Sequence, residues 1–451
     1  MKIFAFDQFA GRLRIPVVAG LAAAVVSAVP AAALELGDLE FRAAGWTQYS
    51  YIVNSSDKGD GQDYNGRSLI GNGAQVTFLR TFSDRLEGAV GLGVALGHTV
   101  NGSTSRYGGY APATLNPYIA EANVTYHVTR NGDDGVFVRG GFFPYNYNPD
   151  VKNLGLYLLR GPVYPGVLMS GFETKHVLPV ANMLGVQIGH RIGGFSQDLI
   201  INSETELAPF YDLSPAYVAS YTQGRLFRVG AGVNFYHLIP IDGKTTRGEA
   251  WAVPNSVLQS TDTIAFSGTK LMANAAFDPK ALFGDGIFGR EDLKVYAEIA
   301  LIGLDNDSAH EALYGGLTER MPVMVGINLP VAYPAFRILD HLSLEVQWYG
   351  SRLRDDLTGY NHTSGVRPSP LPVLDPDSPG ETPRVTRDDW KWSLHGARMF
   401  GDHVKWSIQA ANDHFRPGIY AGDGDNNPPR RQGIMITPKD WYLSTKVAYF
   451  F

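Results

Sequence analysis

The chain alternates apolar and polar residues with a period of two over most of its length. In residues 342–350, LSLEVQWYG, leucine, valine and tryptophan alternate with serine, glutamate and glutamine, and residues 404–409, VKWSIQ, repeat the pattern. Successive side chains of a strand point to opposite faces, so this alternation predicts strands with two different faces. Stretches with a helical period are nearly absent, and we therefore predict an all-β protein.

The alternation predicts sixteen strands. Each is near the length of about 9–11 residues that a tilted strand needs to cross a bilayer. We place them at residues 39–52, 69–80, 86–97, 118–128, 136–143, 175–192, 195–203, 213–222, 226–239, 263–277, 293–303, 321–331, 342–351, 390–400, 404–413 and 441–451. Counts of fourteen or eighteen stay open, because the stretches at 175–192 and 204–222 are the least regular.

The connections between these strands alternate in length. Those after even-numbered strands are mostly short, such as FSDR and QGR, although the tenth-to-eleventh and twelfth-to-thirteenth links are longer. Those after odd-numbered strands are long. This layout is typical of a transmembrane antiparallel up-and-down β-barrel, which is the fold class we predict. A soluble β-sandwich or β-helix is the alternative, but sandwiches do not alternate loop length so regularly and no fixed-period repeat is visible.

Composition narrows the function classes. Charged residues are 18% of the chain, aromatic residues are 12%, there are 51 glycines and no cysteine, and the formal net charge is −6. The apolar content excludes disorder, and no apolar run is long enough for a membrane-spanning helix. The absence of cysteine excludes thiolate metal sites, and the negative charge speaks against a nucleic-acid partner.

The N-terminus reads as an export signal. Residues 1–14 carry three basic side chains and one acidic one, residues 15–29 form an apolar stretch, and small residues end at Ala33. This order is typical of a secretory signal peptide. A buried or membrane-spanning helix is the alternative, but the apolar stretch is short for a span. We predict a cleaved signal peptide over 1–33 and a single barrel domain over 34–451.

The last predicted strand provides an independent indication. It reads WYLSTKVAYFF and ends on Phe451, with Tyr449 and Val447 on the same face. Here the chain resembles bacterial outer-membrane β-barrel proteins, whose terminal strand ends in an aromatic residue. Lys446 stands where those proteins usually have glycine. In strand count and loop layout the chain resembles the sixteen-stranded porins, although the constriction-loop motif of enterobacterial porins is absent.

The resemblance implies a location and partners. It implies the outer membrane, reached after export through the inner membrane, with the termini and short turns in the periplasm. It also implies contact with outer-membrane lipid, recognition of the last strand by the barrel-assembly machinery, passage of small hydrophilic solutes, and assembly as a homotrimer. No nucleic-acid partner is expected.

Strand parity predicts which charged side chains point into the barrel, because a charge facing lipid near the bilayer midplane costs about 2–4 kcal/mol. The predicted inward set has eight basic and five acidic members. They are Glu40, Arg42, Glu121, Arg139, Arg191, Asp198, Arg228, Lys294, Glu298, Glu345, Lys391, Lys405 and Lys446.

The third long connection, residues 144–174, is too apolar for a free surface loop. Asn148-Pro149-Asp150 resembles a helix start, and Val151, Leu154 and Leu158 would share one face, so we predict a helix over 149–160. In porins the third loop folds into the barrel and narrows it, and the resemblance implies the same here; a lid or an oligomer contact is the alternative. The predicted pore-lining or constriction residues are Arg42, Arg139, Arg191, Arg228, Tyr145, Tyr147, Asp150, Lys152, Arg160 and Glu173.

Enzymatic and metal motifs fail on inspection, so we predict no enzyme, no cofactor and no metal. Ser267 and Lys270 have the Ser-x-x-Lys spacing, but residues three apart on a strand point to opposite faces. Asp423 and Asp425 begin like a calcium loop, but Pro428 stands where that loop requires glycine. Three functions remain: a diffusion porin, which we favour, a substrate-selective transporter, and a non-conducting barrel acting as an adhesin or structural protein.

Overall fold

The computed structural model describes residues 39–55, 65–100, 114–159, 181–203, 211–236, 238–239, 241, 268–304, 317–331, 338–349, 390–413, 435 and 439–451. The predicted signal peptide lies outside these residues. None of the helices in the described ranges is long and apolar enough to cross a membrane.

Sixteen antiparallel strands form one closed barrel, in which each strand pairs with its neighbours in sequence and β1 pairs with β16. The prediction of a sixteen-stranded up-and-down barrel is confirmed. The strands are β1 Leu39–Asn54, β2 Ser68–Ser83, β3 Leu86–Val100, β4 Thr114–Asn131, β5 Asp134–Tyr145, β6 Ala181–Ile192, β7 Phe195–Ser203, β8 Leu213–Gln223, β9 Phe227–Tyr236, β10 Gly268–Phe277, β11 Val295–Ile302, β12 Val323–Leu329, β13 His341–Trp348, β14 Trp390–Phe400, β15 Val404–Ala411 and β16 Trp441–Phe450.

Strand length exceeds the expectation in one part of the wall, whereas β11, β12, β13 and β15 have only seven or eight residues. The strands β1, β2, β3 and β4 have 16, 16, 15 and 18 residues, more than the 9–11 that a bilayer crossing needs. Backbone pairing between neighbours continues past the alternating stretch, as at Ser68↔Val100, so hydrophobic alternation alone underestimates these strands.

The two ends of the barrel differ as the connection lengths predict. The β2–β3, β4–β5, β6–β7, β8–β9 and β14–β15 turns are short, and they lie at the end where β1 begins and β16 ends. We call this the short-turn end. The longer β10–β11 link belongs to it and contains helix α1, Lys280–Phe283. The buried Asp278 side chain holds this link, because it accepts hydrogen bonds from the Lys280 backbone N–H at 3.0 Å and from Lys280 Nζ at 2.8 Å.

The two faces of the wall have opposite character. Large apolar side chains such as Ile119, Val124 and Val325 are exposed on the outward face, whereas polar side chains such as Glu298 and Lys391 are buried on the inward face. A soluble barrel would show the reverse pattern. Of the thirteen charged side chains that strand parity assigns to the interior, twelve lie on strands and share the register of the inward face, and Lys294 lies directly before β11.

Phe451 takes part in closing the barrel. Its backbone N–H donates to the carbonyl of Ala43 at 2.8 Å, its carbonyl accepts from the Ala43 N–H at 3.3 Å, and its ring lies 4.4 Å from that of Tyr449. The last residue therefore extends the β1–β16 pairing that begins at Ala44↔Phe450.

We expect deletion of Phe451 to reduce the amount of folded protein in the outer membrane, because it removes two backbone hydrogen bonds of the closing seam and the terminal aromatic ring. The measurement is the level of heat-modifiable barrel in outer-membrane fractions. Phe451→Ala keeps the backbone bonds and loses only the ring, so it separates the two effects. Wild-type levels in both variants would contradict the prediction.

Candidate functional site

The connection after β5 is the first feature of the site. Its described part, residues 146–159, is called the anchored segment below. The predicted helix over 149–160 is wrong for these residues, which form turns and bends. Gly155 and Leu156 have positive φ angles of 95° and 59°, which no right-handed helix allows. Four of its backbone N–H groups instead donate to carboxylates of the barrel wall.

Glu345 of β13 is the first of two carboxylates that hold this segment. Its side chain accepts hydrogen bonds from three consecutive backbone N–H groups, those of Lys152 at 2.5 Å, Asn153 at 2.9 Å and Leu154 at 2.7 Å. The Tyr296 hydroxyl donates a fourth bond at 2.9 Å. Glu345 is only 1% exposed, so these donors replace the water that a buried carboxylate requires.

Glu298 of β11 is the second carboxylate. It accepts hydrogen bonds from the Tyr147 hydroxyl, from Asn148 Nδ2 and from the Tyr157 backbone N–H, each at 2.7 Å. It is also 1% exposed. The Asn148 side-chain oxygen, which would cap a helix, instead accepts a hydrogen bond from Arg228 Nη2 at 2.5 Å. Hydrogen bonds to a charged group are each worth about 1.5–3 kcal/mol, so the two carboxylates are the strongest anchors of the segment.

Further polar contacts spread the attachment along the wall. Arg228 of β9 forms an ion pair with Asp150 at 2.9 Å. Asn234, also on β9, donates to the Leu158 carbonyl at 3.1 Å, and the Tyr157 hydroxyl donates to Gln347 of β13 at 2.8 Å. These bonds join the anchored segment to two separate strands of the wall.

Apolar side chains of the segment are buried together with inward-facing residues of the strands. Val151, Leu154 and Leu158 are buried, as the sequence predicts, although they do not share a helical face. They belong to one cluster with Tyr296 and Met324. Burying a side chain of this size contributes about 1.5–3 kcal/mol, so apolar packing and the carboxylate bonds act together.

Several predicted site residues come together. Arg191 binds Asp198 through two bonds, at 2.8 and 2.9 Å, and the Tyr145 hydroxyl donates to the same carboxylate at 3.0 Å. Arg228 of the wall forms an ion pair with Asp150 of the anchored segment, and the Tyr147 hydroxyl donates a hydrogen bond to Glu298.

Other predicted site residues lie elsewhere or outside the described ranges. Arg42 is exposed near the short-turn end and pairs with Glu40 at 2.6 Å. Arg139 donates to Thr125 and lies over two phenylalanine rings of β5. Lys152 contributes its backbone to Glu345, and burial lowers the pKa of its amine although Glu291 and Asp150 raise it. Arg160 and Glu173 lie outside the described residues.

Sequence reasoning counted Glu298 and Glu345 as inward charges but missed their role as anchors. The available signal was a single acidic residue in the middle of an otherwise apolar and neutral strand. It also missed Trp46, whose indole lies on the inward face over Gly73 and 4.9 Å from the Lys446 amine. A Cβ atom at Gly73 would lie 2.4 Å from the Trp46 ring, so this glycine makes room for the indole.

One cavity of about 480 Å³ lies between the start of the anchored segment and the wall, toward the short-turn end. Its lining includes Tyr147 and Asp150 above and residues of the β8–β9 turn and the β10–β11 link below. Across the described part of the chain, no group of three or more histidine, aspartate or glutamate side chains is arranged to hold a metal ion.

Comparisons with known proteins add a likeness in architecture. A scan against protein-family models and a search of curated proteins both find no match. A variant of the Rhodopseudomonas blastica porin is 11% identical over 92% of this chain and 100% of its own, with a TM-score of 0.43. A triple variant of that porin, with the same identity and coverage, has a TM-score of 0.41. These values are too low to carry an argument. The expected likeness to sixteen-stranded porins rests on the closed strand pairing itself.

We expect Glu345→Gln to lower the free energy of unfolding by a few kcal/mol, because an amide offers one acceptor oxygen to three backbone N–H groups and carries no charge. The measurement is denaturant-induced unfolding of the purified barrel in detergent. The matched control is Glu121→Gln, an inward carboxylate that accepts a bond from Asn123 at 3.1 Å. Equal unfolding midpoints for the two variants would refute the anchoring role.

Proposed function

We propose that this protein is an outer-membrane porin that forms a water-filled channel for passive diffusion of small hydrophilic solutes and ions. The observation that carries the proposal is a closed sixteen-stranded barrel with exposed apolar side chains outside and charged side chains inside. Eight strands fill their own interior, whereas sixteen to eighteen leave room for an aqueous channel. Such an exterior suits lipid, which supports a location in the outer membrane.

We further propose that the anchored segment lies within the barrel and narrows the channel. Its bonds to Glu298 and Glu345, which are buried on the inward face, support this placement. So do the contacts with Asn234 and Gln347. All of these partners lie on β9, β11 and β13. Asn153 of the segment also donates to Asp413, just after β15, at 2.7 Å. The aperture would then run along the wall of β1–β4 and β16, where Trp46 and Lys446 lie.

The aromatic residues of the third connection give little support to the alternative of a selective transporter. In that reading they would form a binding track for solute. The Tyr147 and Tyr157 side chains are buried, and their hydroxyls bond to Glu298 and Gln347. They are therefore structural in this arrangement. Cleavage of residues 1–33 stays a prediction from the N-terminal sequence, and assembly by the barrel machinery and a homotrimer stay predictions from the resemblance.

The charges of the interior favour anions weakly. Asp198, Glu298 and Glu345 each accept three or more hydrogen bonds. Arg139, in contrast, contacts a hydroxyl and aromatic rings. The predicted inward set also has eight basic members against five acidic ones. Screening over about 8 Å at physiological salt keeps the expected preference small.

The test of the function is single-channel recording of the purified protein in planar bilayers. We expect discrete conductance steps from the intact protein, and larger steps when residues 150–160 are replaced by a Gly-Ser segment of equal length, because the constriction is removed. Heat-modifiable migration confirms that the variant has folded. Absence of steps from intact protein would overturn the porin proposal, and unchanged steps in the variant would overturn the constriction.

Ion preference is measured by the reversal potential in a potassium chloride gradient. We expect a small potential of the sign that indicates chloride preference. Lys446→Gln should move it toward cation preference and Glu121→Gln should move it the opposite way, because each removes one charge from the wall that we assign to the aperture. A cation-selective intact channel, or shifts of the same sign in both variants, would contradict the expected selectivity.

A further inference from the structure

The β10–β11 link at the short-turn end carries a group of exposed apolar side chains. Leu282 and Phe283 of α1 are 68% and 64% exposed, which makes them the two most exposed large apolar side chains within the described residues. Ile287, further along the link, is 53% exposed. We call these three side chains the α1 patch. Exposed apolar groups concentrated in one segment mark a surface that contacts protein or membrane.

The α1 patch faces away from the cavity inside the barrel. The link contributes Asp278, Arg290 and Lys294 to the lining of that cavity, whereas none of the three patch residues lines it. The polar side chains of the link therefore lie toward the cavity, and its apolar side chains lie on the other side. A segment that is polar on one side and apolar on the other is typical of a contact in the plane of a membrane interface.

The strand ends that the link joins belong to the apolar outer wall. Phe277, the last residue of β10, pairs with Val295, the first residue of β11, and both share the register of the outward Val325. Both side chains are exposed. Next to them on the wall, the rings of Tyr221 and Phe227 lie 6.1 Å apart. Because aromatic rows of this kind mark the edge of the hydrocarbon region, α1 begins at the level of the membrane interface.

The neighbouring β12–β13 link lies against the outside of the wall. Leu339 covers the outward Gly396 of β14, where an added Cβ atom would lie 2.8 Å from Leu339 Cδ1. Arg398, also outward on β14, donates to the Ile338 carbonyl at 3.2 Å, and the Ile338 side chain is exposed. The guanidinium of Arg398 lies 5.1 Å from the centre of the Phe400 ring. A connection at this end of the barrel therefore does fold onto the outer surface.

The two links are joined to each other. The backbone N–H of Val331, at the start of the β12–β13 link, donates to Asp292 of the β10–β11 link at 3.3 Å. Together they extend the apolar exterior beyond the ends of β10–β13. The long side chain of Arg398 fits the same level, because a basic residue at a membrane edge keeps its stem along apolar surface and its charge among the headgroups. Lipid is thus the partner that matches this surface in both position and chemistry.

We propose that the α1 patch inserts into the boundary between headgroups and acyl chains in the periplasmic leaflet of the outer membrane, with Ile338 making the same contact beside it. This contact holds the β10–β11 link, which closes the cavity from below, against the bilayer. The inference rests on the outer-membrane location in the proposed function and adds a membrane contact that is made by connections rather than by strands.

The contact is tested by spin labelling of the intact protein in phosphatidylcholine vesicles. The chain contains no cysteine, so each of the variants Phe283→Cys and Ile287→Cys carries a single nitroxide label. Molecular oxygen concentrates among acyl chains, whereas a charged nickel chelate stays in water. The lipid reference is Val325→Cys on the outer wall, and the aqueous reference is Asp133→Cys in the exposed β4–β5 turn. Heat-modifiable migration confirms that each variant has folded.

We expect the ratio of oxygen to nickel accessibility at both patch positions to be several-fold above that at Asp133→Cys and below that at Val325→Cys. A ratio equal to the aqueous reference would overturn the proposal. So would exclusion of both reagents, because it would show that protein, such as a second copy of the chain, covers the patch. An aqueous patch beside a lipid-exposed Val325→Cys label would reject this contact alone, whereas an aqueous Val325→Cys label would reject the membrane location on which the porin proposal depends.

Discussion

The arrangement of the interior depends on the need to satisfy two buried carboxylates. Glu298 and Glu345 face inward from neighbouring parts of the wall, where no bulk water reaches them. A buried charge is tolerated only when hydrogen bonds replace its hydration. The anchored segment supplies those donors mainly from its backbone, and in doing so it gives up helical hydrogen bonds. Its path, its positive φ angles and the burial of its apolar side chains follow from this exchange.

The same exchange divides the interior into two unlike halves. On the side of β9, β11 and β13, acidic, amide and apolar side chains bond to or pack against the anchored segment. The apolar cluster around Tyr296 and Met324 is part of this packing. On the side of β1 and β16, inward polar residues such as Gln48 and Lys446 are only partly buried. A partly exposed polar wall of this kind suits the aqueous path of the proposed channel.

The barrel was predictable from the sequence because its determinants are local and repeated. The alternation of apolar and polar residues predicts each strand independently of the others, and the lengths of the connections predict which end of the barrel each connection lies at. A wrong boundary for one strand therefore does not affect the prediction of the next. The site was not predictable in the same way. Asn148-Pro149-Asp150 carries a sound helix-start pattern, but the competing partner, Glu345, lies almost 200 residues further along the chain. Single-sequence patterns contain no information about such a partner, whereas they did identify Val151, Leu154 and Leu158 as side chains in need of burial.

The seam between β1 and β16 has a kinetic consequence. Gln48 and Ser444, which are hydrogen-bonded across it at 3.0 Å, are separated by 396 positions, so the loop that closes there is nearly the whole chain. Bringing such distant segments together is entropically unfavourable and slow, and until it happens both strands keep one edge of unpaired N–H and C=O groups. In hydrocarbon those open edges would be prohibitive, since each unsatisfied group costs several kcal/mol. Pairing of the neighbouring hairpins must therefore be largely complete, with the two free edges shielded by another surface, before the seam meets lipid.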